Sequence, residues 1–458
     1  MTDFNLLTLS PALLRGLEAL NHTTMTPVQA ASVPPILEGR DVIAQARTGS
    51  GKTAAFALGF LDRIDLGSIG VQALVLCPTR ELADQVGKEI RRLASFLPNL
   101  KLLTLCGGIP LRPQLASLTH PPHIVVGTPG RVQELIDLGA LDLGAVKVLV
   151  LDEADRMLDM GFGDAITQLA GRLPKPRQTL LFSATFAEGI RSISKRLQRD
   201  PVEVTVDSGS DSDDVEQLFF EVDTQRRLDA LATLLITKRP ESALVFCNTR
   251  RDTKDVAEQL HLRGFSVLAL HGDLDQRERE EMLVRFANRS CQVLVATDVA
   301  ARGLDIDDLA AVINWELPTD ADTHVHRSGR TARAGRKGLV LNLVAPAEMP
   351  RMGMIESALG SKPKWVQLQR ADRDDAAPSE ARMATVAIDG GRQDKLRPGD
   401  ILGALTGEAG LTADQIGKIA IFPTRSYVAI RSDLRERAMR QLRDGKIKGR
   451  KFRVRKLD

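Results

Sequence analysis

The chain has 458 residues, 43% hydrophobic and 26% charged, with a net charge of +3, a length that predicts two to four domains rather than one core. It holds no uninterrupted apolar run long enough for a bilayer, and its first residues lack a basic region followed by an apolar one, so neither a membrane protein nor a secreted one is expected. Four scattered cysteines (Cys77, Cys106, Cys247, Cys291) with no CxxC pair argue against zinc and against a disulfide framework, and predict reduced, buried thiols in a cytoplasmic protein.

Along residues 1–206, short apolar runs alternate with amphipathic helical patterns. In "LSPALLRGLEAL", Ser10 is placed to cap a helix with Pro11 at its first position, and Leu13, Leu14, Leu17 and Leu20 share one face. "DVIAQARTGSGKT" (41–53) is a strand running into a Gly-rich turn and a helix. It departs from the phosphate-loop rule GxxxxGK[ST] only at Ala46, keeping Gly49, Ser50, Gly51, Lys52 and Thr53. Glycines there let backbone N–H groups face phosphate oxygens. Lys52 would reach the outer phosphates, and Thr53 would hold Mg²⁺.

The runs "VQALVLCP", "HIVVGTP", "VKVLVLDE" and "QTLLFSAT" predict buried strands of a parallel sheet, with a helix over "TRELADQVGKEIRRLASFL". The third run ends in two acids. Asp152 is placed to hold Mg²⁺, and Glu153 to polarise an attacking water. Phosphate loop and acid pair together predict ATP hydrolysis.

"DSGSDSDD" opens a linker over 207–215. A second α/β pattern occupies 216–365, with strands in "SALVFCNT", "FSVLALHG", "CQVLVATD" and "AAVINWE" but no phosphate loop of its own. A polar linker is expected over 366–382. From Met383 to the end there are 17 Lys+Arg and 9 Asp+Glu, against 45 and 50 in the rest, an asymmetry that points to a nucleic-acid partner.

The sequence resembles the DEAD-box RNA helicases. Asp152-Glu153-Ala154-Asp155 spells the family's name, and about ten motifs follow in order from residue 4 to about 345. The resemblance implies two tandem RecA-like parallel-sheet domains that use ATP and Mg²⁺. It assigns adenine recognition to Gln29 in "MTPVQ" and to the upstream aromatic Phe4. His22 stands where the family commonly has Tyr or Phe, and could stack on adenine or be an ordinary surface histidine. Thr48 joins the phosphate loop, and Asp305 in "RGLD" would meet the ribose. Arg330 and Arg333 in "HRSGRTAR" would be arginine fingers on the γ-phosphate, while His326 and Arg327 would link the ATP and RNA sites. Ser183 and Thr185 would couple hydrolysis to unwinding. RNA would lie across both domains on Arg80, Gly108, Thr128, Arg131, Thr249 and Thr297. In the family, ATP and RNA favour closure together, one strand is bent, and a few base pairs open.

In the last 76 residues, "ATVAID", "IGKIAIF", "RSYVAI" and "GRKFRVRK" predict four strands with two helices, the βαββαβ order of an RRM-like α+β domain (383–458). Val428 and Ile430 belong in its core. Arg425 and Tyr427 would then stand on the open sheet face, where Tyr427 could stack on a base, or else pack on a loop as an edge residue. Ala387 leaves one stacking platform missing, which favours shape or hairpin recognition. Half of the final fourteen residues are basic, Lys446, Lys448 and Arg450 among them. They read as a turn and last strand on an RNA-binding face rather than a loose tail. This domain resembles that of the DbpA type of bacterial DEAD-box protein, which implies targeting to 23S ribosomal RNA and a role in large-subunit (50S) assembly. An ATP-gated RNA clamp, or a general helicase without rRNA specificity, are the rival expectations. A monomer is expected.

Overall fold

The computed structural model describes residues 3–46, 49–186, 188–206, 215–301, 309–332, 337–359, 361–368, 377–378, 380–407 and 410–457. Thr48, Asp305, Arg333 and the acidic stretch 207–214 lie outside the described residues. The chain divides into two compact units between residues 209 and 210, the second holding both later domains of the sequence reading.

In the first unit, seven parallel strands stand in the order β3-β4-β2-β5-β6-β1-β7. They are β1 (Val42–Gln45), β2 (Ala73–Leu76), β3 (Leu102–Leu105), β4 (Ile124–Gly127), β5 (Val148–Leu151), β6 (Gln178–Ser183) and β7 (Val202–Thr205). β2 and β5 are buried along their whole length. Alternate side chains feed two cores: Ala73, Val75, Val148 and Val150 join one, and Leu74, Leu76, Leu149 and Leu151 the other. Burial on both faces is why these strands read as unbroken apolar runs. The first long helix, Pro11–Ala19, starts on Pro11 and buries Leu13 and Leu17. Ser10 precedes it, but its hydroxyl makes no capping bond. Its backbone N–H instead donates to Asp62 Oδ1 at 2.8 Å.

The second unit repeats the plan, with parallel strands in the order β10-β11-β9-β12-β13-β8-β14. These are β8 (Val215–Glu221), β9 (Ala243–Cys247), β10 (Val267–Leu270), β11 (Val293–Thr297), β12 (Ala311–Asn314), β13 (Gly338–Val344) and the short β14 (Lys364–Trp365). Val366 and Leu368, expected in a linker, pack against this domain's core.

A four-stranded antiparallel sheet follows, β16-β17-β15-β18, built from β15 (Met383–Ile388), β16 (Ile416–Ile421), β17 (Ser426–Arg431) and β18 (Val454–Lys456). Helices Pro398–Thr406 and Arg435–Asp444 complete the βαββαβ order. Val386, Ile388, Ile401, Leu405, Val428, Ile430, Ala438 and Leu442 form its core. The four cysteines are all buried.

Helix Pro27–Leu37 crosses helix Lys52–Leu61 at Gly59, where a Cβ would run into Ile36 Cγ2. Gly59→Val should therefore destabilise the first unit by about 1–3 kcal/mol through overpacking, read as a lower urea midpoint for that unit.

Candidate nucleotide and RNA sites

β1 delivers the chain into the phosphate loop, and helix Lys52–Leu61 leaves it. Gly49 and Gly51 both have positive φ, 84° and 89°. A side chain on Gly51 would collide with the Gln29 amide as well as strain the backbone. That close approach has a purpose. Thr26 and Gln29 form a reciprocal capping box at the start of helix Pro27–Leu37. From there the Thr26 hydroxyl donates to the Ser50 carbonyl at 2.7 Å, and Gln29 Nε2 donates to the Gly51 carbonyl at 3.1 Å. Gln29 thus braces the phosphate loop directly. Phe4 is buried in the same core as Leu9, Leu13 and Val28. His22 lies at the surface, where partial desolvation and nearby Arg92 lower its pKa.

Lys52 opens its helix and is buried, yet its Nζ has no hydrogen-bond partner among the described residues. Asp152, beyond the end of β5, is also buried, and its Oδ1 is equally without a partner. Burial pushes the Asp152 carboxyl up to about 7, against the pull of the Lys52 ammonium and with a push from Glu153. Buried charges without partners are costly, so the pair suits a ligand that brings both anionic oxygens and a cation. Thr53, half-buried, follows Lys52 in the same helical turn.

Glu153 sits in the left-handed region (φ 52°, ψ 53°) as the residue preceding helix Ala154–Asp159. Arg156 Nη1 donates to its Oε2 at 2.6 Å, and both side chains are 4% exposed. Asp155 accepts from the Arg156 N–H on Oδ1 and from the Ala184 N–H on Oδ2, both at 3.0 Å. The acid motif is therefore bonded to the segment Ser183–Thr185 that follows β6. There, the Thr185 N–H reaches the Ser183 hydroxyl at 3.4 Å.

The first-unit residues expected to face RNA gather at the ends of β2, β3 and β4. Arg80 begins helix Arg80–Leu93, capped by the Thr79 hydroxyl. Gly108, at φ 73°, leaves room for Arg80, whose Nη1 would lie 3.3 Å from a Cβ there. The Thr128 hydroxyl accepts from the Gly107 N–H at 3.2 Å. Arg131 Nη2 donates to the Ile109 carbonyl at 3.1 Å. Arg80 and Arg131 are paired through Nε with Glu81 at 3.4 Å and Glu134 at 2.9 Å, while each keeps a buried Nη1 without a partner among the described residues, a donor left for a further acceptor.

In the second unit, Thr249 and Thr297 lie at the ends of neighbouring strands β9 and β11. The Thr249 hydroxyl caps helix Arg250–Leu262, and the Thr297 hydroxyl accepts from the Ala300 N–H at 3.3 Å. Helix Ala321–Ser328 carries His324, His326 and Arg327. Arg327 is 1% exposed, and all five of its N–H donors are used. Two go to Asp298 at 2.7 Å, and one each to Asn248, Asn314 and the Glu316 carbonyl. No donor remains for phosphate. Arg327 instead binds together the residues next to Thr249 and Thr297. His326 is half-buried on the same helix, and Arg330 is buried just beyond it.

The third domain differs from expectation on one face. Arg425, Tyr427 and Ala387 do share the side of the sheet away from the core, but that side is covered. Tyr427 is only 2% exposed, packed with Ala387 against Val284 of the second domain's helix Gln276–Ala287. Glu281 of that helix accepts from Arg455 at 2.9 Å, Arg425 at 3.3 Å and the Tyr427 hydroxyl at 3.4 Å. Asn288 Nδ2 donates to the Thr385 hydroxyl at 3.2 Å. Tyr427 and Arg425 therefore serve as a docking surface, not as an open stacking platform. The sheet's second face found its apolar partner in another domain. The basic end behaves as expected: Ile447 and Arg450 close a turn through mutual backbone bonds before β18. Lys446, Lys448 and Arg450 are exposed, and the two lysines help line a cavity of about 350 Å³ with Gly399, Gly403, Gly407 and Gly445.

Sequence reasoning missed Arg156, Asp298, Asn248, His324 and Glu281. An acid just past an apolar strand could have flagged Asp298, as it flagged Asp152. Glu281 carries no local signal, because its partners lie 144 to 174 residues away.

Residues 26–193 match the DEAD/DEAH box helicase family, 226–335 the helicase conserved C-terminal domain, and 385–456 the DbpA RNA binding domain. The chain is similar to the ATP-dependent RNA helicase DbpA of Escherichia coli K12, 54% identical over the full length of both. It is also 41% identical to the DEAD-box ATP-dependent RNA helicase CshA of Bacillus cereus, over 84% of this chain and 73% of that one. Among solved structures, Saccharomyces cerevisiae Dbp5 bound to RNA and ADP BeF3 matches with a TM-score of 0.72 and 31% identity, covering 81% of this chain and 96% of that one.

Val284→Asp would place a carboxylate against Ala387 and Tyr427. It should free the third domain from the second, seen as faster protease cleavage between them and a larger radius in small-angle scattering. His324 is fully buried, stacked on Phe219 and bonded to Gln217, and burial lowers its pKa from 6.5 to about 4, with Arg327 adding to the effect. Unfolding then takes up a proton in this window, so stability is lost as pH falls from 6.5 towards 4, on the order of 3 kcal/mol by pH 4. Acid unfolding should show this slope, and His324→Gln should flatten it.

Proposed function

Because this chain belongs to the DEAD-box ATP-dependent RNA helicases of the DbpA type, we propose that its third domain carries it to 23S ribosomal RNA, where it opens short duplexes during assembly of the large (50S) subunit. The observation that supports this targeting is the exposed, structured basic edge at Lys446, Lys448 and Arg450, on a domain matched to an RNA-binding family. With its sheet face covered by helix Gln276–Ala287, that edge is a surface open to a folded hairpin.

In the first domain, Lys52 and the backbone of Gly49–Thr53 bind the phosphates, while Gln29, Phe4 and His22 are assigned to adenine. Thr53 and Asp152 are the residues that would hold Mg²⁺, which neutralises charge on the β- and γ-phosphates when bound. The partnerless Asp152 oxygen and Lys52 ammonium fit that demand. Glu153 polarises the attacking water. Arg330 and Arg333 supply the positive charge that the phosphoryl group develops against, an effect worth ~10³–10⁵ in rate in related phosphoryl transfers. Asp305 takes the ribose. Arg80, Gly108, Thr128, Arg131, Thr249 and Thr297 grip the RNA backbone, which positions without reading sequence. The bond from Asp155 to Ala184 is the path by which Ser183–Thr185 feels the state of the acid motif. The protein works as a cytoplasmic monomer.

The test is RNA-stimulated ATP hydrolysis at physiological salt, with 23S rRNA, 16S rRNA and unstructured RNA. In the parent protein, 23S rRNA should activate at far lower concentration than the others. The combined Lys446→Glu, Lys448→Glu, Arg450→Glu variant should raise the half-saturating 23S rRNA concentration by about tenfold or more, since each lost phosphate contact weakens binding. Equal activation of both proteins by all three RNAs would leave a general helicase without rRNA targeting.

A further inference from the structure

Three carboxylates crowd the end of β5 within four residues, and their partners set them apart. Asp152 keeps a buried oxygen with no partner among the described residues. Asp155 has both oxygens engaged by backbone N–H groups. Glu153 has Oε2 held at 2.6 Å by Arg156, with both side chains 4% exposed. The pair is short in sequence as well as in space, one helical turn apart across the start of helix Ala154–Asp159. Glu153 itself occupies a left-handed backbone conformation that costs a non-glycine residue energy.

A buried ion pair is a poor way to gain stability. Apolar residues of the same volume serve as well or better, whereas a buried pair does fix orientation. An orientation is what Glu153 needs, because the gain from a catalytic carboxylate depends on its placement towards the attacking water. Arg156 also occupies a junction. Its N–H holds Asp155, Asp155 holds Ala184, and its guanidinium holds Glu153. A shift of Ser183–Thr185 would thus be felt at the Glu153 carboxylate through one residue.

We propose that Arg156 is a positioning residue for ATP hydrolysis, holding the Glu153 carboxylate in its working orientation and tying that orientation to Ser183–Thr185. It touches neither nucleotide nor RNA, so its removal slows the chemical step and spares binding.

The experiment uses the full chain with saturating RNA and compares Arg156→Met, which keeps the alkyl stem, with Arg156→Lys, which keeps the cation. Arg156→Met should lower kcat by about tenfold or more while KM for ATP and for RNA moves by less than about threefold. Arg156→Lys should recover a substantial part of kcat. In single-turnover assays, Arg156→Met added to Glu153→Gln should cost nothing beyond Glu153→Gln alone, as for residues acting as one unit. ADP affinity and the thermal midpoint report whether the fold survives. A parental or raised kcat in Arg156→Met overturns the proposal, as does a full second loss in the double variant. If Arg156→Met does not fold, Arg156→Gln replaces it, and a Gln variant as active as the Lys variant overturns the proposal equally.

Discussion

A charge taken out of water needs a compensating partner, and the buried charges of this protein divide by whether they have one. Arg327 spends all five donors inside its own domain. Arg227 is paired with Glu348, and Glu153 with Arg156. These groups hold strand ends and helix starts in place. Lys52 Nζ and Asp152 Oδ1 have no such partner among the described residues, whereas Arg80 and Arg131 are paired through Nε with Glu81 and Glu134 and keep only a buried Nη1 without an acceptor; all four residues stand beyond the carboxyl ends of strands of one parallel sheet. The first unit therefore carries unmet polar demand at one end of that sheet, of the kind an anionic ligand with its cation would relieve. Ligand binding and the stability of that unit are linked through it.

Much of this was legible from the residues. The phosphate loop and the acid pair are local: a few adjacent letters specify a turn, a helix start and a strand end. The alternation of Arg425, Tyr427 and Val428 also predicted correctly which side of β17 faces the core. What could not be read is which surface meets which. Tyr427 was placed on the right face of its strand, but the cover on that face comes from Val284, 143 positions earlier. Gln29 poses a subtler case. Its place in "MTPVQ" points to adenine, yet its side chain also braces Gly51, a contact set by how two helices cross at Gly59. Arg156 was invisible for another reason, because an arginine on a short helix usually points to water.

The buried arginines of the core and the basic edge of the third domain use positive charge in opposite ways. Arg327 and Arg156 are buried and bonded to protein groups, Arg327 through all five donors and Arg156 to Glu153, so they act by fixing geometry. Lys446, Lys448 and Arg450 stand in solvent on the hydrogen-bonded turn before β18, where long-range attraction favours a polyanion. A modest net charge of +3 thus conceals two populations of cations with different work.

Docking through Glu281 and Val284 changes what kind of connection joins the third domain to the core. A flexible tether would set only a local concentration, and any duplex within its reach would serve. A sheet clamped to helix Gln276–Ala287 by apolar contact and converging arginines has a fixed bearing instead. An RNA hairpin seated on the basic edge would then be held at one distance and angle from Thr249 and Thr297. On the proposed function, the pair would act as a gauge, selecting RNAs by the spacing between two structural features rather than by the sequence of either.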